Sequence, residues 1–255
     1  MRNDLSFLTE QPSEFLSKIA ILREEKDELI ELEAYYAVEA YDRFLFDACD
    51  IDFPPKLTNA VPKRQSEFLA GRILARAALE RLHRAYVPIA IGEWGYPVWP
   101  RGISGSISHS HGKCACLVVA DEAKLVGIDI EKVSTGASLE AILQEALNLE
   151  ERQRVFEQTA FDAAVLATLI FSAKETVYKT LYPLVRTFFG FEAAVFNGIR
   201  GNNIASLSIA HSLHDAVPHG KEISIQFEID GEFVKTWSIL ERDMQGSLSA
   251  RPPAG

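Results

Sequence analysis

Two long stretches of helical periodicity, each followed by short strand-like runs, constrain the fold of this chain more than any other feature. In residues 62–82, Phe68, Leu69, Ile73, Leu74, Leu79 and Leu82 recur at helical spacing and form one apolar stripe. Three short runs follow: Ser106-Ile-Ser-His, Ala115-Cys-Leu-Val-Val-Ala and Leu125-Val-Gly-Ile-Asp-Ile-Glu, with Gly112 and Asp121-Glu122-Ala123 at the turns. Helical pattern resumes over residues 139–182, with breaks near Asn148 and Thr159 and a last helix over 163–181. Next, Ile223-Ser-Ile-Gln-Phe-Glu-Ile and Glu232-Phe-Val-Lys-Thr-Trp-Ser-Ile-Leu flank an Asp230-Gly231 turn, the signature of a hairpin. The order helix, sheet, helix, sheet predicts an α+β chain of two lobes of similar build, residues 1–122 and 123–244. Residues 10–40, acidic and with Phe15, Ile19, Leu22, Leu29 and Leu32 at helical spacings, predict a further helical leader. The small, polar, Pro-rich stretch 245–255 predicts a disordered tail.

Composition sets the outer bounds. The chain has 255 residues, 47% of them apolar, enough to bury a core in each lobe without disulfides or a structural metal. No apolar run nears the roughly 18 residues needed to span a bilayer. The first residues lack the basic start and apolar centre of a secretory leader. Three cysteines, Cys49, Cys114 and Cys116, cannot all pair internally, which fits a reducing compartment and a cytoplasmic location. A net charge of −10 argues against nucleic acid as a partner. That total hides a cationic island: residues 53–116 carry nine basic and three acidic side chains, between strongly acidic flanks.

Several side chains stand out for their chemistry. Asp129 and Glu131 alternate with Ile128 and Ile130, so on a strand both carboxylates leave one face, their Cα atoms about 6.6 Å apart. Two hard oxygen donors at that separation suit a magnesium ion shared with substrate phosphates, or they are the acidic solvent face of an edge strand. Glu175 and Lys179 are four apart and neighbours on one helix face, ordinarily a weak surface pair. Here they lie with Lys174 among Phe171, Val177, Tyr178 and Leu181, at a packed boundary where charge is costly unless used. Ser106, Ser108, His109 and His111 include no Gly-x-Ser-x-Gly elbow, which disfavours a Ser/His hydrolase. On a continuous strand His109 and His111 would face away from Cys114 and Cys116, which disfavours zinc and leaves His109 as a buried or phosphate-contacting residue.

Four blocks in fixed order resemble a known family: Glu67-Phe-Leu-Ala-Gly-Arg; Pro97-Val-Trp-Pro running into Gly105-Ser-Ile-Ser-His; Gly127-Ile-Asp-Ile-Glu; and Phe171-Ser-Ala-Lys-Glu-Thr-Val-Tyr-Lys. Together, over about residues 60–185, they are similar to the 4′-phosphopantetheinyl transferases of the larger, monomeric two-lobed type, particularly the enterobactin synthetase component D subgroup. The resemblance implies two similar lobes related by a pseudo-two-fold axis, each a small, mainly antiparallel sheet packed on helices. It also implies transfer of 4′-phosphopantetheine from coenzyme A to a serine of an apo acyl or peptidyl carrier protein, releasing adenosine 3′,5′-bisphosphate. By position it makes Asp129, Glu131 and Glu175 magnesium ligands and Glu175 the candidate base. Lys179 would hold the pyrophosphate, and Arg72, Ser108, His109 and Lys174 would lie at coenzyme A phosphates. A metal clamp with lysine and arginine around a pyrophosphate is the equipment such a transfer needs. Members usually carry a basic residue where this chain has Gly95, so that phosphate contact is either missing or supplied by another residue such as Arg101 or Lys113. A catalytically silent coenzyme A or nucleotide binder is the alternative, disfavoured because three carboxylates without a metal would repel a polyanion. The carrier's pathway, whether siderophore, other peptide, polyketide or fatty acid, is left open.

Overall fold

The apolar stripe of residues 62–82 becomes a helix laid on an antiparallel sheet. The computed structural model describes residues 14–84, 87–92, 95–242 and 248–250, and the chain divides into two units, Met1–Glu122 and Ala123–Gly255. In the first unit, strands β1 (Leu16–Glu25) and β2 (Leu29–Tyr36) precede a short helix α1 (Phe44–Ala48) and the long helix α2 (Pro62–Arg81). A two-residue pairing of β3 (Ala90–Ile91) with β4 (Pro97–Val98) leads to β5 (Ser104–Ser110) and β6 (Lys113–Val119). The sheet runs β1-β2-β6-β5, antiparallel throughout. Pro62 opens α2 where a missing N–H costs nothing, and His83, at φ 53°, follows its end. Leu69, Ile73, Leu74 and Leu79 are fully buried in one core with Ile30, Leu32, Cys114, Cys116 and Val118. Each such side chain contributes about 1.5–3 kcal/mol by leaving water.

The helical leader expected over residues 10–40 is instead the β1–β2 hairpin, turning at Asp27 with φ 61°. Ile30, Leu32, Ala34 and Tyr36 alternate toward the core, while Glu31 and Glu33 occupy the other face. Those two glutamates, good helix formers in isolation, are buried and held by ion pairs with Arg23 and Lys113. Tertiary partners override local propensity there.

The second unit is built around one long helix and one sheet. Strand β7 (Leu125–Lys132) is followed by α3 (Gly136–Ala141), a single π-turn at Ile142–Ala146, α4 (Leu149–Glu157) and α5 (Ala163–Val185). Strands β8 (Ala194–Arg200), β9 (Ile204–Ile209), β10 (Glu222–Asp230), β11 (Phe233–Arg242) and β12 (Leu248–Ala250) complete it. The sheet order is β12-β11-β10-β9-β8, and β7 pairs with β11 from Phe233 opposite Lys132 to Leu240 opposite Leu125. The three strand runs expected at residues 106–131 are therefore divided between two sheets. The hairpin turning at Asp230-Gly231 is present, with Asp230 opposite Phe233. The chain is thus α+β, with antiparallel sheets packed on helices.

Helix α5 starts at Asp162, whose carboxylate accepts from the Ala164 N–H, and ends at Arg186 in the left-handed region. Its Leu169, Ile170, Ala173, Val177 and Leu181 share a core with Leu207, Ile225 and Val234 of the sheet. Leu248–Ala250 falls in the expected disordered tail yet pairs with β11 and buries Leu248, so the tail has structure there. Its remaining residues, 245–247 and 251–255, and residues 1–13, which include the start of the leader, lie outside the described residues. No described helix is long and apolar enough to cross a membrane.

Candidate functional site

In the second unit the chemistry gathers where β7 meets α5. Gly127 faces the helix so closely that a Cβ there would stand 2.6 Å from the Thr176 carbonyl oxygen. Two residues on, and so on the same face, Asp129 points at α5. Its Oδ2 accepts from the Ser172 hydroxyl at 2.7 Å, and its Oδ1 accepts from the Lys179 ammonium at 2.7 Å. Lys179 also donates to the Ile128 carbonyl at 3.2 Å. Glu131 follows on the same face, half-buried near the end of the strand. Glu175, one turn before Lys179, holds its proton above the usual glutamate range. Burial is the larger cause, the negative charge of Asp129 the second, and Lys179 opposes both.

Of these residues Asp129 and Lys179 are in direct contact, Glu175 lies close enough for the Asp129 charge to act on it, and Glu131 is two residues along β7 from Asp129. Among the described residues, no three Asp, Glu, His or Cys side chains are already gathered as a metal cage. The donor chemistry still suits a hard divalent cation, since every candidate ligand is a carboxylate oxygen. The mutual repulsion of Asp129 and Glu175 is what a bound cation would relieve, and the Lys179 ammonium already balances part of it.

Lys174 lies away from this set. Its side chain is only 2% exposed, and its ammonium donates to Glu151 at 2.7 Å and to the Ala146 carbonyl of the π-turn at 2.8 Å. Glu151 also accepts the Asn148 and Phe196 N–H groups. Burial pulls the proton affinity of Lys174 down, and Glu151 opposes that. The pair ties the α3–α4 segment and β8 to α5 and keeps the Lys174 ammonium inside the fold. Truncation to Lys174→Met should leave the Glu151 carboxylate short of one charged donor and destabilise the chain by about 2 kcal/mol. A denaturant midpoint reads this; an unchanged midpoint with weakened coenzyme A binding would restore the phosphate role.

In the first unit, β5 and α2 assemble a second cluster. Arg64 donates to His109 Nε2 at 3.0 Å, Glu67 lies 3.7 Å from His109 Nδ1, and Arg64 and Glu67 are 3.4 Å apart. An Nε2 that accepts leaves the ring proton on Nδ1, toward the Glu67 carboxylate. The Tyr36 phenol is buried beside them and titrates higher than an ordinary tyrosine, through burial first and the Glu67 charge second. Half of the Arg64 side chain is exposed, so this cluster offers a cation and an imidazole to solvent. Sequence reading left Arg64 aside. The usable signal was that Arg64, Glu67 and Gly71 form one helical stripe, and Gly71 packs on Ile107, two residues before His109 on β5.

The other expected phosphate contacts fare differently. Ser108 pairs with Ala115 and His109 with Cys114, so the two side chains leave opposite faces of the sheet. Arg72 is buried, its guanidinium 4.5 Å over the Phe68 ring. Lys113 is paired with Glu33 at 2.8 Å inside the sheet, whereas Arg101 is exposed. His111 sits at a turn with φ 47°, which breaks the continuous strand assumed for the zinc argument.

Comparison with known proteins gives this geometry its context. The 4′-phosphopantetheinyl transferase N-terminal domain matches residues 53–119, and the 4′-phosphopantetheinyl transferase superfamily matches residues 125–236. Enterobactin synthase component D of Salmonella typhi is 36% identical over 151 residues, covering 59% of this chain and 62% of that protein. The 4′-phosphopantetheinyl transferase Npt of Nocardia iowensis is 36% identical over 139 residues, 54% of this chain and 61% of the relative. PptT of Mycobacterium tuberculosis, also a 4′-phosphopantetheinyl transferase, is 34% identical over 141 residues, 55% and 61%. The chain therefore spans about three fifths of the length of these curated relatives. Both family matches fall in chain order, and the second contains Asp129, Glu131, Glu175 and Lys179; the chain belongs to the 4′-phosphopantetheinyl transferase superfamily.

Proposed function

We propose that this protein transfers 4′-phosphopantetheine from coenzyme A to a serine hydroxyl of an apo carrier protein, leaving adenosine 3′,5′-bisphosphate. The observation that carries the proposal is the part-buried arrangement of Asp129, Glu175 and Lys179 between β7 and α5. Such a transfer needs positioning and charge neutralisation more than covalent help from the protein. Asp129 and Glu175, with Glu131 beside them, are the residues that would hold a magnesium ion, whose chemistry is to neutralise charge on the pyrophosphate.

The chain's own groups supply the rest. Lys179 carries a positive charge beside Asp129, placed for a phosphate oxygen. Arg64 and His109 in the first unit offer the cation and ring that a coenzyme A phosphate requires. Glu175 has the raised proton affinity of a group able to take the carrier serine's proton as its oxygen attacks phosphorus. Acidic carriers fit the overall charge less well than the cationic island at residues 53–116, which is where we place electrostatic attraction.

The test is mass spectrometry of a panel of apo carriers, peptidyl carriers of siderophore assembly first because relatives include enterobactin synthase components. With coenzyme A and magnesium we expect one phosphopantetheine mass added to a carrier serine, and no addition after exhaustive chelation. Coenzyme A binding without any carrier modified would identify a silent binder, and transfer that survives chelation would sink the metal-dependent route.

A further inference from the structure

Behind Asp129 lies a row of buried hydroxyls that the transfer chemistry does not use directly. Ser172, Thr176 and Thr236 are each fully buried. Thr236 stands opposite Asp129 in the β11–β7 register. Ser172 Oγ is 2.9 Å from Thr236 Oγ1, and Thr236 Oγ1 is 2.6 Å from Thr176 Oγ1. Thr236 Oγ1 also lies 3.0 Å from the Ser172 carbonyl, and Thr176 Oγ1 3.2 Å from the Thr236 carbonyl.

Proton counting fixes the direction of the bond nearest Asp129. An ionised carboxylate only accepts, so the single Ser172 proton goes to Asp129 Oδ2 at 2.7 Å. Ser172 Oγ, its proton committed, can only accept at its 2.9 Å contact with Thr236 Oγ1, and Thr236 is held in turn against the Ser172 carbonyl and the Thr176 hydroxyl. Asp129 Oδ2 is thereby engaged by the protein interior, while Oδ1 is the oxygen on which a cation, the Lys179 ammonium, already rests.

We propose that Ser172 and Thr236 are positioning residues that present Asp129 to a divalent cation through one oxygen, Oδ1, and thereby favour a small six-coordinate cation over calcium. The inference rests on the cation site proposed above. Calcium readily takes carboxylates through both oxygens and tolerates seven or eight ligands, whereas magnesium requires a near-ideal octahedron. A carboxylate with one oxygen tied back suits the octahedron. Groups that orient a ligand in this way typically change metal affinity by about 10–100-fold when removed.

The experiment titrates the full chain with Mn2+, an octahedral probe, counting free ion by electron paramagnetic resonance, and then competes it with Ca2+. Ser172→Ala should weaken Mn2+ binding about tenfold and let Ca2+ compete at lower concentration. Thr236→Val should shift both readings the same way, and Thr236→Ser, which keeps the hydroxyl, should restore them. Thermal melts of each variant separate this from loss of fold; if Ser172→Ala does not fold, the Thr236 pair decides. Wild-type Mn2+ affinity and Ca2+ competition in a folded Ser172→Ala or Thr236→Val variant would overturn the inference while leaving the cation site standing. A wild-type chain that binds no Mn2+ would remove the site itself and the inference with it.

Discussion

Glu175→Gln is expected to lower transfer by about 10²–10⁴-fold, the span typical of losing a positioned base, while making the folded chain more stable at neutral pH in chelator-containing buffer. The two effects share one cause. Burial and the charge of Asp129 raise the proton affinity of Glu175 in the folded state above that of an unfolded chain, against the pull of Lys179. The folded state therefore binds this proton more tightly, and the stability linked to it is complete below the ordinary glutamate pKa. It is lost as pH rises through the folded value. Glutamine keeps the shape and carries no charge at any pH, so it escapes the loss. Denaturant midpoints at pH 4 and pH 7 should show the variant's advantage at pH 7 and its disappearance at pH 4. An activity loss without a pH-dependent gain in stability would mean that the Glu175 charge serves the transfer without destabilising the fold; full activity would remove it from the mechanism. A site residue that destabilises its own fold is the trade expected where charge is held for chemistry.

What the sequence made legible followed from how local each signal is. Helix α2 and the β10–β11 hairpin were readable because an i, i+3, i+4 stripe and an Asp-Gly turn are complete within twenty residues. The β1–β2 hairpin was not, because Glu31 and Glu33 favour helix until Arg23 and Lys113 pair with them in the fold. Strand β7 could be read as a strand, but its partner β11 lies about a hundred residues further on, and periodicity says nothing about pairing at that range. In the site, the two-residue spacing of Asp129 and Glu131 and the four-residue spacing of Glu175 and Lys179 each placed a pair on one face, and the structure brings Asp129 and Lys179 into direct contact. Lys174 is adjacent to Glu175 in sequence but about 100° further around the helix, which carries it into the core beside Glu151, a partner that local spacing does not announce. Ser172 and Thr236 give no spacing signal at all, since their link to Asp129 exists only after helix and sheet have packed.

That packing depends on Gly127, and Gly127→Ala is expected to cost about 3 kcal/mol, the upper end of the range for overpacked cores. A Cβ there would meet the Thr176 carbonyl at 2.6 Å and the Thr180 backbone nitrogen at 2.9 Å, besides the Thr180 hydroxyl. Backbone cannot rotate aside as a side chain can, so α5 as a whole has to move away from β7. By contrast, an added methyl at Gly71 meets only the Cγ2 methyl of Ile107 at 2.7 Å, and one at Gly136 meets nothing within 4 Å. Gly71→Ala should be milder because Ile107 can change rotamer. Gly136→Ala should cost about 1 kcal/mol, from its φ of 55° alone. Movement of α5 also takes Ser172 and Lys179 off Asp129, where both contacts are 2.7 Å long and tolerate little displacement. Gly127→Ala should therefore lose more transfer activity than its unfolded fraction explains, measured at a temperature where the variant is still folded, and Gly127→Val should prevent the second unit from folding. Equal denaturant midpoints for Gly127→Ala and Gly136→Ala would show that α5 yields freely and that the close approach does not set the geometry of the site.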